Sequence, residues 1–453
     1  MSQRERDTNT GQTALPPARE GQAAGLSFDP AHVPVLALLA VPWRDDATLA
    51  ALMAALGESN ARIVGGAVRN ALMGRPVTDI DIATRLVPRD VATRAEAAGF
   101  SVHPVGIEHG SLILARDGRT FEVTTLRRDV ETYGRHARVT FTTDWAEDAR
   151  RRDFTMNALY ADMSGQVWDP VGGLADVLAR HVRFIGEAAE RIREDFLRIL
   201  RFFRFWATYD AGPPDEEALA AIRTEAKGLA IISRERIREE LRRLLVAPRV
   251  IEALAWMRAT GVARHVFPHT CDGLSHALSA MVEADDDLAL APDWLLRLVA
   301  FCGPREELVE AFRLSRQEAA RIRRLRRLAP PPTDDELALK ALLYREGRQG
   351  ACDALRIFAA WGRVPLRTLA RMRELAEHWM PPAFPLHGRD VITAGLAPGP
   401  QVGQLLHQLE EEWIGAGFPA RSREEWQALL KAAICGRQAA RERSKNENDS
   451  HTP

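Results

Sequence analysis

Two carboxylates, Asp79 and Asp81, stand at alternate positions in Thr78-Asp79-Ile80-Asp81-Ile82-Ala83-Thr84, shortly after Arg62-Ile63-Val64-Gly65-Gly66-Ala67-Val68-Arg69-Asn70. Residues two apart in a strand project from one face, so the two acids point together. Like charges so placed repel. A rigid strand tolerates them chiefly when a divalent cation neutralises them, as in Mg²⁺ sites beside substrate phosphates. Gly65 and Gly66 let backbone N–H groups approach a phosphate, with Arg69 near enough to balance its charge. The chemistry this suits is metal-dependent transfer on a triphosphate, one ion activating a hydroxyl nucleophile and another steadying the leaving pyrophosphate. For Asp-x-Asp alone a solvated strand edge is the competing explanation, and the preceding Gly-Gly-x-x-Arg tips the balance towards function. Glu122, in Thr120-Phe121-Glu122-Val123-Thr124-Thr125-Leu126, lies on a strand with apolar neighbours. It reads equally as a third carboxylate of the metal site or as an edge glutamate with its head in water.

Two further constellations follow. In Glu147-Asp148-Ala149-Arg150-Arg151-Arg152-Asp153-Phe154-Thr155-Met156-Asn157-Ala158-Leu159, three consecutive arginines would ordinarily be a solvated run or a nonspecific RNA contact. Here they adjoin Asp153, Thr155 and Asn157, a polar set able to bond a ribose while an arginine reaches phosphate. In Arg193-Glu194-Asp195-Phe196-Leu197-Arg198-Ile199-Leu200-Arg201-Phe202-Phe203-Arg204, helical spacing puts Asp195, Arg198 and Arg201 on one face and the apolar residues on another. An ordinary amphipathic helix with ion pairs explains this. So does base reading: a carboxylate accepts from an exocyclic amino group while a guanidinium donates to the neighbouring ring nitrogen or carbonyl. Cytosine and adenine carry that pair of groups; guanine and uracil do not.

These residues need elements to hold them. The 453 residues exceed one ordinary core, so several domains are expected. With 46% apolar and 27% charged residues the composition is that of a soluble globular protein. A net charge of −1 excludes a globally basic chain, so RNA would be met by local clusters of arginine. Cys271, Cys302, Cys352 and Cys435 are scattered without a CxxC pair or zinc spacing, which fits thiols in a reducing compartment. No apolar run approaches the roughly 18 residues of a membrane span, and the polar start lacks a secretory pattern, so a cytoplasmic protein is expected.

Patterning predicts a helix over 47–56, a strand over 61–64, a short helix over 66–73, a strand over 79–83 and a helix from Pro88 to Ala98. Strands follow at 102–105, 111–115 and 120–126, the last two joined by Asp117-Gly118 as a hairpin. Residues 127–147 read as a long loop, functional or mobile. From Glu187 onward the pattern is helical (187–208, 215–227, 233–246 and 249–260 first), with breaks at Pro330–Pro332 and Pro381–Pro385. The arginines of 321–327 read as a solvated helix face in preference to a grip on RNA phosphates.

The three constellations, in this order, resemble the class II tRNA nucleotidyltransferase/poly(A) polymerase family over roughly residues 60–245. The residues that carry the resemblance are Gly65-Gly66-Ala67-Val68-Arg69 with Asp79-Ile80-Asp81, then Arg151-Arg152-Asp153-Phe154-Thr155-Met156-Asn157-Ala158 and Asp169-Pro170-Val171-Gly172-Gly173-Leu174-Ala175-Asp176. Glu194-Asp195-Phe196-Leu197-Arg198 and Ser233-Arg234-Glu235-Arg236-Ile237 complete the set. The resemblance implies an α+β fold: a nucleotidyltransferase head with a mixed β-sheet, followed by an all-α neck, body and tail. The expected divisions are a disordered tail over 1–30, a catalytic head over 31–185, a neck over 186–265 that binds nucleotide and RNA, a tRNA-binding body and tail over 266–440, and a disordered end over 441–453. Asp79 and Asp81 would hold Mg²⁺, and Gly65, Gly66, Arg69 and Arg152 would contact the nucleotide triphosphate. Asp153 and Asn157 would meet the ribose. Asp195 and Arg198 would select the bases of CTP and ATP, with Arg201 and Arg204 assisting. The implied function is template-independent addition or repair of the CCA end of tRNA. Poly(A) polymerase, a partial CC- or A-adding enzyme and a non-catalytic RNA-binding relative are the alternatives. Asn70 departs from the family, which most often has Asp there, as do Ala149 and Val177, which replace leucines; no motif is matched beyond about residue 265.

Overall fold

The computed structural model describes residues 34–106, 110–133, 136–268, 275–332 and 335–449. The expected tail over 1–30 and Cys271 lie outside the described residues. The chain divides into two compact units: one carries the main sheet and ends at Leu178, and the other, from Ala179 onward, is built mainly of helices.

In the first unit, β1 (Leu36–Ala37) precedes α1 (Ala47–Leu56), which starts where the Asp46 side chain accepts from the Leu49 N–H at 2.9 Å. β2 (Ala61–Val64) runs into Gly65, whose φ of 70° is open to glycine at little cost, and then into α2 (Gly66–Leu72). β3 (Asp81–Thr84) leads to α3 (Pro88–Ala97), opened by proline at its first turn. β4 (Ser101–Gly106), β5 (Ser111–Arg116) and β6 (Arg119–Thr125) follow. Asp117 and Gly118 both adopt positive φ (52° and 73°), the primed-turn geometry their sequence predicts.

Residues 127–147 are not the long loop expected. β7 (Arg127–Tyr133) and β8 (His136–Phe141) pair as a separate two-stranded sheet, and α4 (Trp145–Arg150) begins at the Asp144 cap. The charged, weakly alternating sequence hid these strands. β9 (Tyr160–Ala161), β10 (Gln166–Trp168) and α5 (Gly173–Ala179) complete the series.

The main sheet has the order β1-β10-β9-β2-β3-β6-β5-β4, antiparallel except for the parallel pair β3–β6. Its two faces follow the pleat. Ile82, Leu112, Leu114, Phe121 and Val123 are buried on one side, while Asp81, Glu122 and Thr124 alternate with them on the other. β3 starts at Asp81, two residues later than predicted, so Asp79 lies in the approach to the strand. Ile80 between them is buried, and Asp79 and Asp81 are both exposed.

Gly173 sits where a side chain has no room: a Cβ there would lie 2.1 Å from the Thr155 carbonyl oxygen, a backbone atom. Gly173→Ala should therefore destabilise the protein by about 2–3 kcal/mol through forced backbone displacement, measured as a lower denaturation midpoint.

The second unit opens with α6 (Ala188–Glu194) and α7 (Arg198–Tyr209), then α8 (Glu216–Glu225), capped by Asp215, and α9 (Arg234–Leu245). The single helix expected over 187–208 is broken: Asp195 is extended (φ −154°, ψ 104°) and ends α6. α7 buries Ile199, Leu200, Phe202, Phe203 and Trp206, and α9 packs against it. Helices continue from Val250–Ala259 to Arg423–Asp449. The last of these carries helical backbone through the segment from Arg441, which the sequence suggested would be disordered; residues 450–453 lie outside the described residues. The arginine run lies on helix Arg316–Arg327 and is largely committed to acids within its own unit. Arg321 meets Asp353 (2.5 Å) and Asp293 (2.8 Å), Arg324 meets Glu346 (3.2 Å), and Arg323 pairs with Glu306. Arg323, Arg326 and Arg327 are exposed, so the outer side of this helix is the solvated face expected, with Arg321 and Arg324 turned to acids of the same unit.

Candidate active site

Register in the main sheet assembles the acids. Parallel pairing sets Asp81 opposite Glu122, and antiparallel pairing sets Val64, the last residue before the glycine turn, opposite Asp81. The end of β2, the start of β3 and the middle of β6 thus bring Gly65, Asp81 and Glu122 into one neighbourhood. Crowding by protein strips hydration from the Asp81 carboxyl, and with Glu122 and Asp79 nearby it raises the pKa; Arg152 opposes the shift. This is an acidic cluster under mutual repulsion, facing solvent. A divalent cation relieves such repulsion, and the donors are the oxygen ligands Mg²⁺ takes. Among the described residues no group of three or more His, Cys, Asp or Glu closes into a metal cage. A site completed by water and substrate phosphate is the pattern Mg²⁺ usually follows.

Across from the acids stands an arginine network. Arg69, buried in α2, donates through Nη1 to Asn157 Oδ1 (2.5 Å) and through Nη2 to Asn70 Oδ1 (3.0 Å). Asn157 Nδ2 donates to Asp153 Oδ1 (3.0 Å), which also accepts from the Phe154 N–H (2.9 Å). Asp153 and Asn157, expected as ribose contacts, are nine-tenths buried and bonded to one another. Asn70, where the resemblance implies Asp, makes a bond of its own. Its Nδ2 donates to the Pro76 carbonyl (3.1 Å), a bond a carboxylate could not make.

Several positioning roles are seen only in the folded chain, and Thr155, expected among the groups able to bond a ribose, is turned to Asp176 instead. Thr155 donates to Asp176 (2.5 Å), and Asp169 accepts from the N–H groups of Gly173 and Leu174 (2.7 and 2.9 Å), which fixes α5 behind the Thr155 segment. Arg62 lies between the rings of Trp168 and Trp145, 3.9 and 4.4 Å from their centroids, and burial followed by the charge of Arg85 lowers its pKa to about 10. Asp148, 1% exposed on α4, accepts from Arg151 Nε (2.8 Å), Arg152 Nε and Nη2 (3.2 and 3.0 Å) and the Tyr160 hydroxyl (2.8 Å). The i,i+4 spacing of Asp148 and Arg152 was a signal available in the sequence; Tyr160 arrives only through the pairing of β9 with β2.

Burial alone would raise the Asp148 pKa, but the charges of Arg152 and Arg151 and the Tyr160 hydrogen bond outweigh it and bring it down to about 2. The folded pKa lies below an unfolded value near 4, so ionised Asp148 stabilises the fold above pH ~4 and loses that contribution as pH falls towards 2, by about 2 kcal/mol in all. Asp148→Asn should flatten the acid-unfolding curve between about pH 4 and 2 relative to the unaltered protein, as read by circular dichroism.

In the second unit, Asp195 Oδ2 accepts from Arg236 Nη2 (2.6 Å) and Oδ1 from the Leu197 N–H (3.2 Å). Arg198 opens α7 and donates to Glu194 (2.5 Å) and the Arg191 carbonyl (2.9 Å). Arg201 and Arg204 both face Glu240, at 3.6 and 2.6 Å. Burial lowers the Arg204 pKa, and Glu240 opposes that shift. Arg201 and Arg204 thus share Glu240 while Arg198 turns to Glu194, and Asp195, expected on the same helix face as Arg198 and Arg201, sits in the break before α7 and is held by Arg236.

Comparison with known proteins fits this arrangement. Residues 61–183 match the family model of the Poly A polymerase head domain, and residues 214–274 match "Probable RNA and SrmB-binding site of polymerase A". The first unit is thus a nucleotidyltransferase head of that type. The mitochondrial CCA tRNA nucleotidyltransferase 1 of Mus musculus is 35% identical over 380 residues, 79% of this chain and 83% of the mouse protein. The CCA-adding enzyme of Streptococcus gordonii is 31% identical over 374 residues, 79% of this chain and 90% of that one. The crystal structure of the Bacillus stearothermophilus CCA-adding enzyme in complex with CTP superposes with a TM-score of 0.70 at 28% identity, covering 90% of this chain and 100% of that one. The chain belongs to the CCA tRNA nucleotidyltransferase family.

Proposed function

We propose that the protein completes or repairs the 3′-terminal CCA of tRNA from CTP and ATP, without a nucleic-acid template and with release of pyrophosphate. The observation that supports this most is the strand register that sets Asp81 between Glu122 on one side and Val64, where the Gly65 turn begins, on the other. Asp79 and Asp81 would hold Mg²⁺, with Glu122 as the adjoining carboxylate. Held there, such an ion would supply charge neutralisation at the phosphates and acidify the attacking hydroxyl. Gly65 and Gly66 leave the turn open to a triphosphate, and Arg69 and Arg152 balance its charge. Asp153 and Asn157 hold Arg69 in place and offer polar groups to the ribose. Asp195 and Arg198 read the amino and acceptor groups shared by cytosine and adenine, with Arg201 and Arg204 held beside them by Glu240. The helices of the second unit would bind the tRNA body. This assigns a head over 31–185, a neck over 186–265 and a body and tail over 266–440. Among the described residues no helix is long and apolar enough to cross a membrane. The free thiols Cys302, Cys352 and Cys435 suit the cytoplasm as the working compartment.

Supplying ATP alone separates this reading from poly(A) polymerase. A tRNA ending in CC should gain one adenosine, whereas an unrelated RNA should gain none. Long adenosine tracts on either RNA would refute the assignment.

A further inference from the structure

Arg152 has two edges, and the structure gives them different partners. Its Nε and Nη2 are taken by one oxygen of Asp148, at 3.2 and 3.0 Å. Its Nη1 lies 3.9 Å from the point where a Cβ on Gly65 would stand, so this edge is presented to the glycine turn. The same Asp148 oxygen accepts from the Tyr160 hydroxyl, and the other is held by Arg151, so the carboxylate is anchored from several sides. Tyr160 packs edge-on against Trp145 at 5.2 Å and lies opposite Val64 in the sheet, which ties the anchor to the strand that ends in Gly65. An arginine fork seated on a fixed carboxylate is preorganised, because little rotamer freedom is left to lose when a ligand arrives.

We infer that Asp148 is a positioning residue for nucleotide binding: it holds one edge of Arg152 so that the other is aimed at the phosphates of the incoming nucleotide over the Gly65 turn. This rests on the assignment of Arg152 to the triphosphate. Asp148 touches no substrate. It acts through Arg152, so its loss should appear in nucleotide affinity and should vanish when Arg152 is absent.

A double-mutant cycle reads this directly. The KM for CTP and ATP is measured on tRNA substrates ending one nucleotide short, with thermal midpoints recorded in parallel. Asp148→Asn and Arg152→Ala should each raise KM by about tenfold, with kcat changed far less. The double variant should match Arg152→Ala within about twofold. Multiplying effects, or an unchanged KM in a folded Asp148→Asn protein, would overturn the inference. If Arg152→Ala itself leaves KM unchanged, the triphosphate assignment of Arg152 fails instead, and the inference fails with it. Arg152→Lys supplies a test should Asp148→Asn not fold. It keeps the charge but cannot take the fork, so it should behave like Arg152→Ala; a KM at the unaltered value would show that aiming by Asp148 is not needed.

Discussion

Asp81→Ala is expected to lower nucleotide transfer on the order of 10³-fold or more, with the protein folded and tRNA binding largely kept. The physical reason is that Asp81 stands beside Glu122 in register and near Asp79, in a cluster that disfavours its own ionisation. A carboxylate whose pKa is raised by folding opposes the folded state at neutral pH once ionised, so removing it should not lower the thermal midpoint. Loss of activity without loss of stability is the signature of a residue kept for chemistry. Asp79→Ala should behave alike. Residual transfer above about a tenth of the original rate, in either variant, would refute the metal assignment.

The second large effect concerns choice of nucleotide. Arg198→Ala should reduce the preference for CTP and ATP over UTP and GTP by about 10²-fold, measured as the ratio of kcat/KM values on one tRNA. A site built to bond a particular donor and acceptor pair rejects bases lacking it, because mismatched polar groups are left unpaired. Arg198 is held by Glu194 and the Arg191 carbonyl, and Asp195 by Arg236, so both are fixed before any base is present. An unchanged preference would move base reading to other residues.

What was legible in the sequence followed local rules. The helix over 47–56 and the strand over 61–64 emerged with their predicted bounds, because an Asp cap and a Gly-Gly turn mark their limits. The alternation of Asp79, Ile80 and Asp81 gave the exposed and buried faces correctly although β3 begins only at Asp81. Glu122 was undecided because strand register joins it to Asp81, 41 positions away, and nothing in a single strand announces its neighbour. Asp195 was misplaced on a continuous helix: every residue from 187 to 208 tolerates helix, and the break comes from tertiary partners, Arg236 among them. The strands β7 and β8 were missed for the opposite reason, having little apolar alternation. Asp148 was overlooked because a buried acid between arginines looks, in sequence, like one more member of a charged run.

The proposed function requires that this site add C, C and A to a tRNA end in that order. The most direct measurement is sequencing of the 3′ ends of a tRNA transcript lacking CCA, after incubation with the protein, Mg²⁺ and all four nucleoside triphosphates together. The expected ends stop at CCA, with CC as the intermediate at short times. Adenosine tracts, incorporated uridine or guanosine, or unextended tRNA would contradict it.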